Sequence, residues 1–310
     1  MSDAKARYQA AADVFAGWRD DVLCGTPPEL YPVGSGEMAR LEVGPKLVTL
    51  FGGPPGVGKT AFTMQLVVDG LRLTPDLRAC VCNVEMPPAV LLDRQLARLS
   101  GIGATVIRRR QLGAEHADRI DQAMNTLEPL ADRLSFVRPP FDLVNVAASA
   151  DAFGAGLICL DYIQRIRPPG EHGDKRGAVG ATMDYLRQFA DAGVAVLVVA
   201  AVSRTKDKKG RSSYSGDGLS LASFRESSEL EFGADDCFIL MPDGDGENVS
   251  LRHLKSRNGE TRDIVLWFDK PYQRFTSVSD EQDQDAGKLR SALASLWNRT
   301  APAADDEDDA

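Results

Sequence analysis

The residues best suited to chemistry stand at 53–60, where GPPGVGKT combines three glycines, a lysine and a threonine at fixed spacing. The glycines keep side chains away from the backbone, so that successive N–H groups can surround an anion. Lys59 supplies a charge that can reach the β- and γ-phosphates of a nucleotide, and the Thr60 hydroxyl is an oxygen ligand of the kind that Mg²⁺ prefers. The predicted nucleotide contacts are Gly53, Pro54, Pro55, Gly56, Val57, Gly58, Lys59, Thr60 and Ala61.

Two carboxylates can complete such a site. Asp161 ends the apolar run LICLD, and Glu85 directly follows the run ACVCNV. The carboxyl ends of parallel strands meet at one edge of a sheet, so we expect both acids near the phosphate loop. Asp161 is predicted to hold Mg²⁺ together with Thr60, and Glu85 to orient or deprotonate an attacking water. The alternative for each residue is a solvated acid at the end of a strand. Two such acids on strands near one phosphate loop favour the catalytic interpretation.

The phosphate loop needs a strand before it and a helix after it, because the helix N-terminus adds a favourable dipole. An apolar run at 47–51 precedes it, and a helix-like stretch at 61–73 follows. A glycine- and proline-rich surface turn that matched by chance would lack these neighbours. The context therefore favours a Walker A loop.

Strand and helix patterns alternate along most of the chain, which predicts an α/β fold with a mostly parallel central sheet flanked by helices. The strand patterns are 47–51, 79–84, 134–137, 157–160 and 194–199, and the helical patterns lie near 61–73, 88–99, 115–131, 144–153 and 178–191. Later runs at 236–241, 248–257 and 261–268 are closely spaced, and Asn258-Gly259 between the last two predicts a C-terminal β-hairpin. Apolar residues at helical spacing over 8–22 predict an N-terminal helix that Thr26-Pro27-Pro28 stops.

The composition of the 310 residues, 43% apolar and 26% charged, is typical of a soluble globular protein. The start of the sequence lacks a secretory pattern, and the longest apolar run, 194–202, is too short for a bilayer, so we expect a cytoplasmic protein without membrane contact. The five cysteines are scattered, mostly in strand-like runs, and are interpreted as core residues in a reducing compartment.

Acidic charge is concentrated at the C-terminus. Residues 280–310 hold nine acidic and three basic side chains, a net charge of −6 out of −9, which leaves room for a basic channel elsewhere. The sequence predicts three parts: an N-terminal helical or linker segment at 1–30, the ATPase domain at 31–279, and an acidic tail at 280–310. A short helix is expected within the tail at 288–299.

Several separate motifs together resemble the RecA-like motor domain of DnaB-type replicative helicases. They are FGGPPGVGKTAF, NVEMPPAVLLDRQLARLSGI, LICLDYIQ, SFRESSELEFGADD and LKSRNG, in that order over about residues 31–276. The resemblance implies a RecA-like P-loop NTPase that hydrolyses ATP with Mg²⁺ at the subunit interfaces of a homo-oligomeric ring, expected to be a hexamer. It implies action on single-stranded DNA in replication, with a replication or loader protein as a further partner.

The resemblance also implies roles for particular residues. Glu85 would be the catalytic base, and Arg94 would lie against the adenine. Lys255 and Arg257 would reach the γ-phosphate bound by the adjacent subunit. Because residues two apart on a strand share a face, we expect these two cations to project together before the Asn258-Gly259 turn. The alternative for them is a solvated basic strand edge, which discourages aggregation.

DNA contacts are implied for a stretch that reads Arg-Glu-Ser-Gly in the family and 225–228 here, and for a basic loop at 204–211 whose charges suit phosphates. These candidates are Arg225, Glu226, Ser228, Lys206, Lys208, Lys209 and Arg211. A solvated mobile loop is the alternative for the basic segment. Two positions depart from the family: Ser228 stands for a glycine, and Ala201 for a glutamine that senses the γ-phosphate.

Three other classes of protein were compared with these features. An AAA+ ATPase is rejected, because such proteins follow the Walker B aspartate with a glutamate, whereas Tyr162 follows Asp161. A nucleotide-binding module without turnover is disfavoured by Glu85 and the two hairpin cations. A RecA-like regulatory or recombination-accessory ATPase without unwinding activity stays open, and Ala201 and Ser228 favour it.

Overall fold

The computed structural model describes residues 8–170, 175–202, 205–206, 212–213, 233–243 and 248–277. The chain divides into two compact units, residues 1–30 and Tyr31–Ala310. The first unit contains helix α1 (Ala11–Cys24), which ends at Gly25 in the left-handed conformation, with φ 68°. The predicted N-terminal helix is present, but its aromatic side chains are exposed, Phe15 at 56% and Trp18 at 57%. Among the described residues, no helix has the length and apolar character to cross a membrane.

The second unit alternates strands and helices as the sequence pattern predicts. Its strands are β1 (Val48–Gly52), β2 (Ala79–Asn83), β3 (Leu134–Phe136), β4 (Leu157–Asp161), β5 (Ala195–Val199), β6 (Thr205–Lys206), β7 (Ser212–Ser213), β8 (Asp236–Asp243), β9 (Asn248–Ser256), β10 (Ile264–Asp269) and β11 (Arg274–Ser277). Its helices are α2 (Lys59–Leu73), α3 (Pro88–Ser100), α4 (Ala104–Arg108), α5 (Ala117–Leu127), α6 (Leu143–Phe153) and α7 (Lys175–Asp191). Shorter 3₁₀ turns lie at Gly36–Arg40, Ala114–His116, Glu128–Arg133, Ile163–Arg165 and Lys270–Tyr272.

Nine strands form one sheet in the order β11-β10-β9-β8-β1-β5-β4-β2-β3. The six strands from β8 to β3 are parallel, and β9, β10 and β11 extend the sheet as antiparallel neighbours. This arrangement confirms the predicted α/β fold with a mostly parallel sheet and a C-terminal hairpin region.

Helices cover both faces of the sheet, which explains why the central strands are continuous apolar runs. Helix α2 packs over β4, β5 and β11 on one face, where Phe51, Phe62 and Leu197 belong to the core. Helices α6 and α7 pack on the other face, over a core that includes Leu50 and Val198. Every residue of β1, β2, β4 and β5 is buried, as expected for strands covered on both faces.

Two local predictions are correct in element type but differ from the structure in their bounds. The helix expected at 115–131 is interrupted: α5 ends at Leu127 and a 3₁₀ turn follows, in which Pro129 lacks the N–H that an α-helix requires. The Asn258-Gly259 pair lies within a longer connection, residues 257–263. Strand β9 pairs with β8 along its whole length, but with β10 only at residues 248–251, and β10 begins at Ile264 rather than 261.

Candidate nucleotide site

The phosphate loop connects the end of β1 to the start of α2, and at two of its glycines a side chain would clash with neighbouring residues. Gly58 has φ 95°, and a Cβ atom there would lie 2.7 Å from Phe268 Cε1 and 2.9 Å from Phe275 Cζ. Gly53 has φ 153°, and its Cβ would lie 2.8 Å from the backbone oxygen of Leu240. Both positions therefore require glycine, for conformation and for space. The loop is shaped by the antiparallel part of the sheet as well as by its own sequence.

Lys59 curls back over the loop. Its Nζ donates to the carbonyl oxygens of Gly53 at 2.7 Å and Pro54 at 2.9 Å. Burial lowers the pKa of Lys59, and the negative charges of Asp161 and Glu85 oppose that shift. The ammonium group is thus held in the curve of the loop, where terminal phosphates would lie in a bound nucleotide.

Asp161 is the buried acid of the site, only 5% exposed at the end of β4. Burial raises the pKa of its carboxyl group, while a hydrogen bond with Thr60 and the charge of Lys59 act in the opposite direction. The Thr60 hydroxyl and the Asp161 carboxylate are therefore close together. Two oxygen donors next to the phosphate loop match the preference of Mg²⁺ for oxygen ligands. The residues present fit a magnesium–nucleotide complex.

Glu85 lies two residues beyond the end of β2, and its side chain is exposed. It borders a groove of about 510 Å³ that is also lined by Phe136 and Arg138. Its negative charge acts on both Lys59 and Asp161, so the three groups share one edge of the sheet. Its role as a water-activating carboxylate stays a prediction.

Arg94 lies on α3, partly buried. Burial lowers the pKa of its guanidinium group, and the charge of Asp161 opposes that shift. The arginine charge in turn lowers the pKa of Asp161. Arg94 is therefore near enough to Asp161 for the two charges to interact, and its contact with adenine stays a prediction.

A buried ion pair fixes α3 against the phosphate-loop helix α2. Arg98 is 7% exposed, and its guanidinium binds both carboxylate oxygens of Asp69, with Nη1 at 3.0 and 2.9 Å. Arg98 Nε also donates to Gln95 Oε1 at 2.8 Å. Since α3 follows Glu85 and carries Arg94, this pair sets the position of both relative to the loop.

The two hairpin cations contact their own chain rather than forming a projecting tip. Lys255 Nζ donates to the backbone oxygen of Ala234 at 2.8 Å, and Arg257 Nη1 donates to Asp235 Oδ1 at 2.8 Å. Arg257 follows the last residue of β9 and keeps a side-chain exposure of 45%. The two side chains reach adjacent residues, so they lie together as predicted, but at the start of β8.

The predicted DNA contacts fall almost entirely outside the described residues. These are Lys208, Lys209, Arg211, Arg225, Glu226 and Ser228. The backbone of Lys206 belongs to β6, which pairs antiparallel with β7. Thr205 and Lys206, near the start of the basic segment, therefore pair with Ser213 and Ser212, which directly follow it.

Several polar residues of the site were missed at the sequence level. Asn83 donates a hydrogen bond to Asp161, and Asp235 accepts one from Arg257. The Gln164 amide donates to the carbonyl oxygen of Ala201 and accepts from the Ala201 N–H, both at 3.1 Å. Asn83 had a signal, because asparagine at the end of a strand favours a side-chain-bonded turn. The partners of Asp235 and Gln164 are distant in the sequence, and no local pattern indicates them.

Residues 43–277 match the model of the DnaB-like helicase C-terminal domain family. The chain belongs to this family. A replicative DNA helicase of Bacillus subtilis, DnaC, is 25% identical over 270 residues, which cover 83% of this chain and 58% of the relative. The DnaB helicase of Pasteurella multocida is 26% identical over 245 residues, covering 74% and 51%. This DnaB-like chain thus spans about half the length of the relatives it matches.

Solved structures share the fold of this DnaB-like domain. One of them, described as an ATPase domain, has a TM-score of 0.76 and 18% identity, covering 87% of this chain and 99% of that domain. A DnaB-like replicative helicase, described with its interactions with primase, has a TM-score of 0.73 and 18% identity, covering 89% and 68%. At this identity the likeness shows the RecA-like fold.

Proposed function

We propose that this chain is the ATP-hydrolysing motor of a DnaB-like DNA helicase that moves on single-stranded DNA in replication. The observation that carries the proposal is the contact set at one edge of the sheet. Thr60 lies close to Asp161, Lys59 is held over the phosphate loop, and the charge of the exposed Glu85 carboxylate acts on both Lys59 and Asp161. Family membership over residues 43–277 supports the same activity.

Different residues of the chain carry out different parts of ATP hydrolysis. Backbone N–H groups of the loop and Lys59 bind the phosphates of ATP, and Thr60 and Asp161 hold Mg²⁺. When bound, Mg²⁺ neutralises the charge that develops on the phosphate oxygens. Glu85 orients the attacking water and accepts its proton. Arg94 contacts the adenine from α3.

A ring, which we expect to be a hexamer, completes each site. Lys255 and Arg257 would approach the γ-phosphate bound by the neighbouring subunit, in the manner of an arginine finger. The exposure of Arg257 supports this role, because its guanidinium can exchange Asp235 for a phosphate without leaving the surface. A head-to-tail interface of this kind gives a ring when the rotation between neighbouring subunits closes.

Arg225, Glu226 and Ser228 are proposed to contact the DNA backbone, together with Lys206, Lys208, Lys209 and Arg211. A replication or loader protein is the further partner, and the site of action is the cytoplasm. Salt-sensitive binding to single-stranded DNA, similar for different sequences, is the expected signature of such phosphate contacts.

The proposal is tested with Glu85→Gln and Lys59→Ala. Glu85→Gln should bind ATP normally and lose turnover by about a hundredfold, because a lost base spares ground-state contacts. Lys59→Ala should lose nucleotide affinity. Glu128→Gln, which changes an exposed glutamate after α5, is the matched control and should retain full turnover. Normal hydrolysis by Glu85→Gln would remove Glu85 from the mechanism.

A second candidate is a RecA-like regulatory or recombination-accessory ATPase without unwinding activity. Ala201 favours it: where a glutamine side chain would sense the γ-phosphate, an alanine is fixed through its backbone by Gln164. A strand-displacement assay distinguishes the two. ATPase activity that single-stranded DNA stimulates, accompanied by displacement, supports the helicase, whereas ATPase activity without either supports the second candidate.

A further inference from the structure

We propose that Asn83 is a positioning residue that connects the magnesium-binding carboxylate of Asp161 to the segment that carries Glu85. The proposal rests on the function assigned above to these two acids. It adds a residue that touches neither nucleotide nor water but sets where both acids lie.

The side-chain amide of Asn83 makes contacts on both of its sides. Its Nδ2 donates to Asp161 Oδ2 at 2.8 Å. Its Oδ1 accepts from the backbone N–H groups of Glu85 at 3.0 Å and Met86 at 2.8 Å. The residue is 8% exposed, so these bonds are made in a largely dry environment, where each is stronger and costlier to lose.

The backbone prepares this arrangement. Asn83 pairs with Asp161 in the register of β2 and β4, and the N–H of Val84 donates to the carbonyl oxygen of Asp161 at 3.0 Å. The amide therefore spans from one strand end to the turn that leaves its neighbour. Because an amide group is planar and rigid, a shift of Asp161 and a shift of the Glu85 backbone are mechanically linked.

Asparagine is chemically suited to this link. Its N–H side can bind only an acceptor such as the Asp161 carboxylate, and its oxygen side can bind only donors such as the two N–H groups. A purely local turn would need the oxygen alone. The bond from Nδ2 to Asp161 is the feature that joins the turn to the metal-binding acid. Groups that orient a metal ligand typically change metal affinity or activity by about 10- to 100-fold when removed.

The test measures binding of a fluorescent N-methylanthraniloyl ATP with Mg²⁺ and with EDTA, and ATPase kinetics, on the full chain. In Asn83→Ala we expect the affinity for the nucleotide in EDTA to be unchanged. The Mg²⁺ increment, defined as the factor by which Mg²⁺ raises that affinity, should be about tenfold smaller than in wild type. We expect kcat to fall at least tenfold with KM for ATP within about threefold. A general loss of structure would instead lower affinity in both conditions.

Asn145→Ala is the matched control, because its amide also donates two hydrogen bonds, to the carbonyl oxygens of Arg138 and Pro140 at 2.7 Å. It should leave the Mg²⁺ increment and kcat unchanged. If Asn83→Ala does not fold, Asn83→Asp serves instead. It keeps the oxygen that accepts from the turn and replaces the donor with a like charge facing Asp161, so kcat should fall while affinity in EDTA is retained.

Equal Mg²⁺ increments and equal kcat in Asn83→Ala and wild type overturn the proposal, as does an equal loss in Asn145→Ala. Glu85→Gln separates this outcome from failure of the proposed function. If Glu85→Gln is inactive and Asn83→Ala is normal, only the positioning role fails. If Glu85→Gln hydrolyses ATP normally, the role assigned to Glu85 fails, whatever Asn83→Ala does.

Discussion

At the scale of single residues, Asp235 shows how one buried carboxylate organises cations from separate elements. Its side chain is 5% exposed and accepts from Arg257 at 2.8 Å, from Arg187 at 2.6 Å and from the N–H of Val48 at 2.8 Å. If Arg257 leaves to contact a neighbouring subunit, Asp235 keeps Arg187 and the backbone N–H. The acid therefore remains paired, which lowers the cost of such a movement.

Replacing Asp235 with alanine should destabilise the domain by about 2–3 kcal/mol, the range for lost hydrogen bonds to charged groups. The loss arises because the N–H of Val48 and two guanidinium groups lose their common acceptor. Urea denaturation followed by circular dichroism measures it. Asp151→Ala, which changes an exposed aspartate on α6, is the control and should stay within about 0.5 kcal/mol of wild type. Equal midpoints for both variants would contradict the role of Asp235.

Some residues of the site could be predicted from the sequence, and others could not. The proximity of Lys59, Thr60 and Asp161 was predictable because their positions follow from a contiguous loop and from the end of an apolar strand. Asp235 lies beside a second aspartate, and only the folded chain brings Arg187 to it, 48 positions away. Partners set by tertiary contact leave no trace in local spacing.

At the scale of elements, the last strand is fixed to the phosphate-loop helix by one side chain. Gln65 on α2 is 5% exposed, and its amide donates to the carbonyl oxygen of Phe275 at 2.8 Å and accepts from the Phe275 N–H at 2.9 Å. Strand β11 is at the edge of the sheet, where backbone groups lack a strand partner on one side. Gln65 supplies that partner. Phe275 also lies under Gly58, so the same contact supports the loop.

Gln65→Leu should therefore destabilise the domain by about 1–3 kcal/mol, because a buried N–H and C=O are left unsatisfied. The same change at Gln122, an exposed residue of α5, should have an effect within about 0.5 kcal/mol. Thermal or urea unfolding of the two variants beside wild type provides the comparison. A Gln65→Leu protein as stable as Gln122→Leu would show that β11 does not depend on this amide.

Element types were predictable where the environment is uniform along the element. The parallel strands are buried on both faces and give unbroken apolar runs. The extent of the β9–β10 pairing was not predictable in the same way, because β9 pairs with β8 along its whole length, with a bulge near Cys237, but with β10 only at residues 248–251. Hydrogen bonds from Arg262 N–H to His253 Nδ1 and from His253 N–H to Asp263 Oδ1 hold the long connection, and they depend on that register.

At the scale of the whole molecule, burial decides which of the five thiols can react. Cys24 is exposed, whereas Cys80, Cys82, Cys159 and Cys237 are buried. Burial raises the pKa of Cys82 to about 12 and also raises the pKa values of Cys80 and Cys159. A raised pKa reduces the thiolate fraction near neutral pH, and the thiolate is the reactive form.

At about pH 8, a disulfide reagent such as DTNB should react rapidly with a single thiol per folded chain, because only an exposed thiol forms accessible thiolate. Cys24→Ser should abolish that rapid phase, and unfolding in guanidinium should make all remaining thiols reactive. More than one rapid equivalent in wild type, or a rapid phase that survives Cys24→Ser, would show that a buried thiol is accessible.

A ring can be tested by dividing one active site between two defective proteins. In the proposed assembly the phosphate loop comes from one subunit and Arg257 from the next, so Lys59→Ala and Arg257→Ala damage opposite sides of each interface. In an equal mixture with random exchange, about one quarter of interfaces combine an intact loop with an intact finger. ATPase activity should therefore rise above that of either variant alone and depend on protein concentration.

A mixture of Lys59→Ala with Glu85→Gln is the control: both changes fall on the same side of the interface, so every mixed interface keeps one defect and activity should stay low. Activity that fails to rise in exchanged Lys59→Ala and Arg257→Ala rings, or full wild-type activity in a monomer, would place Arg257 outside the reaction in trans.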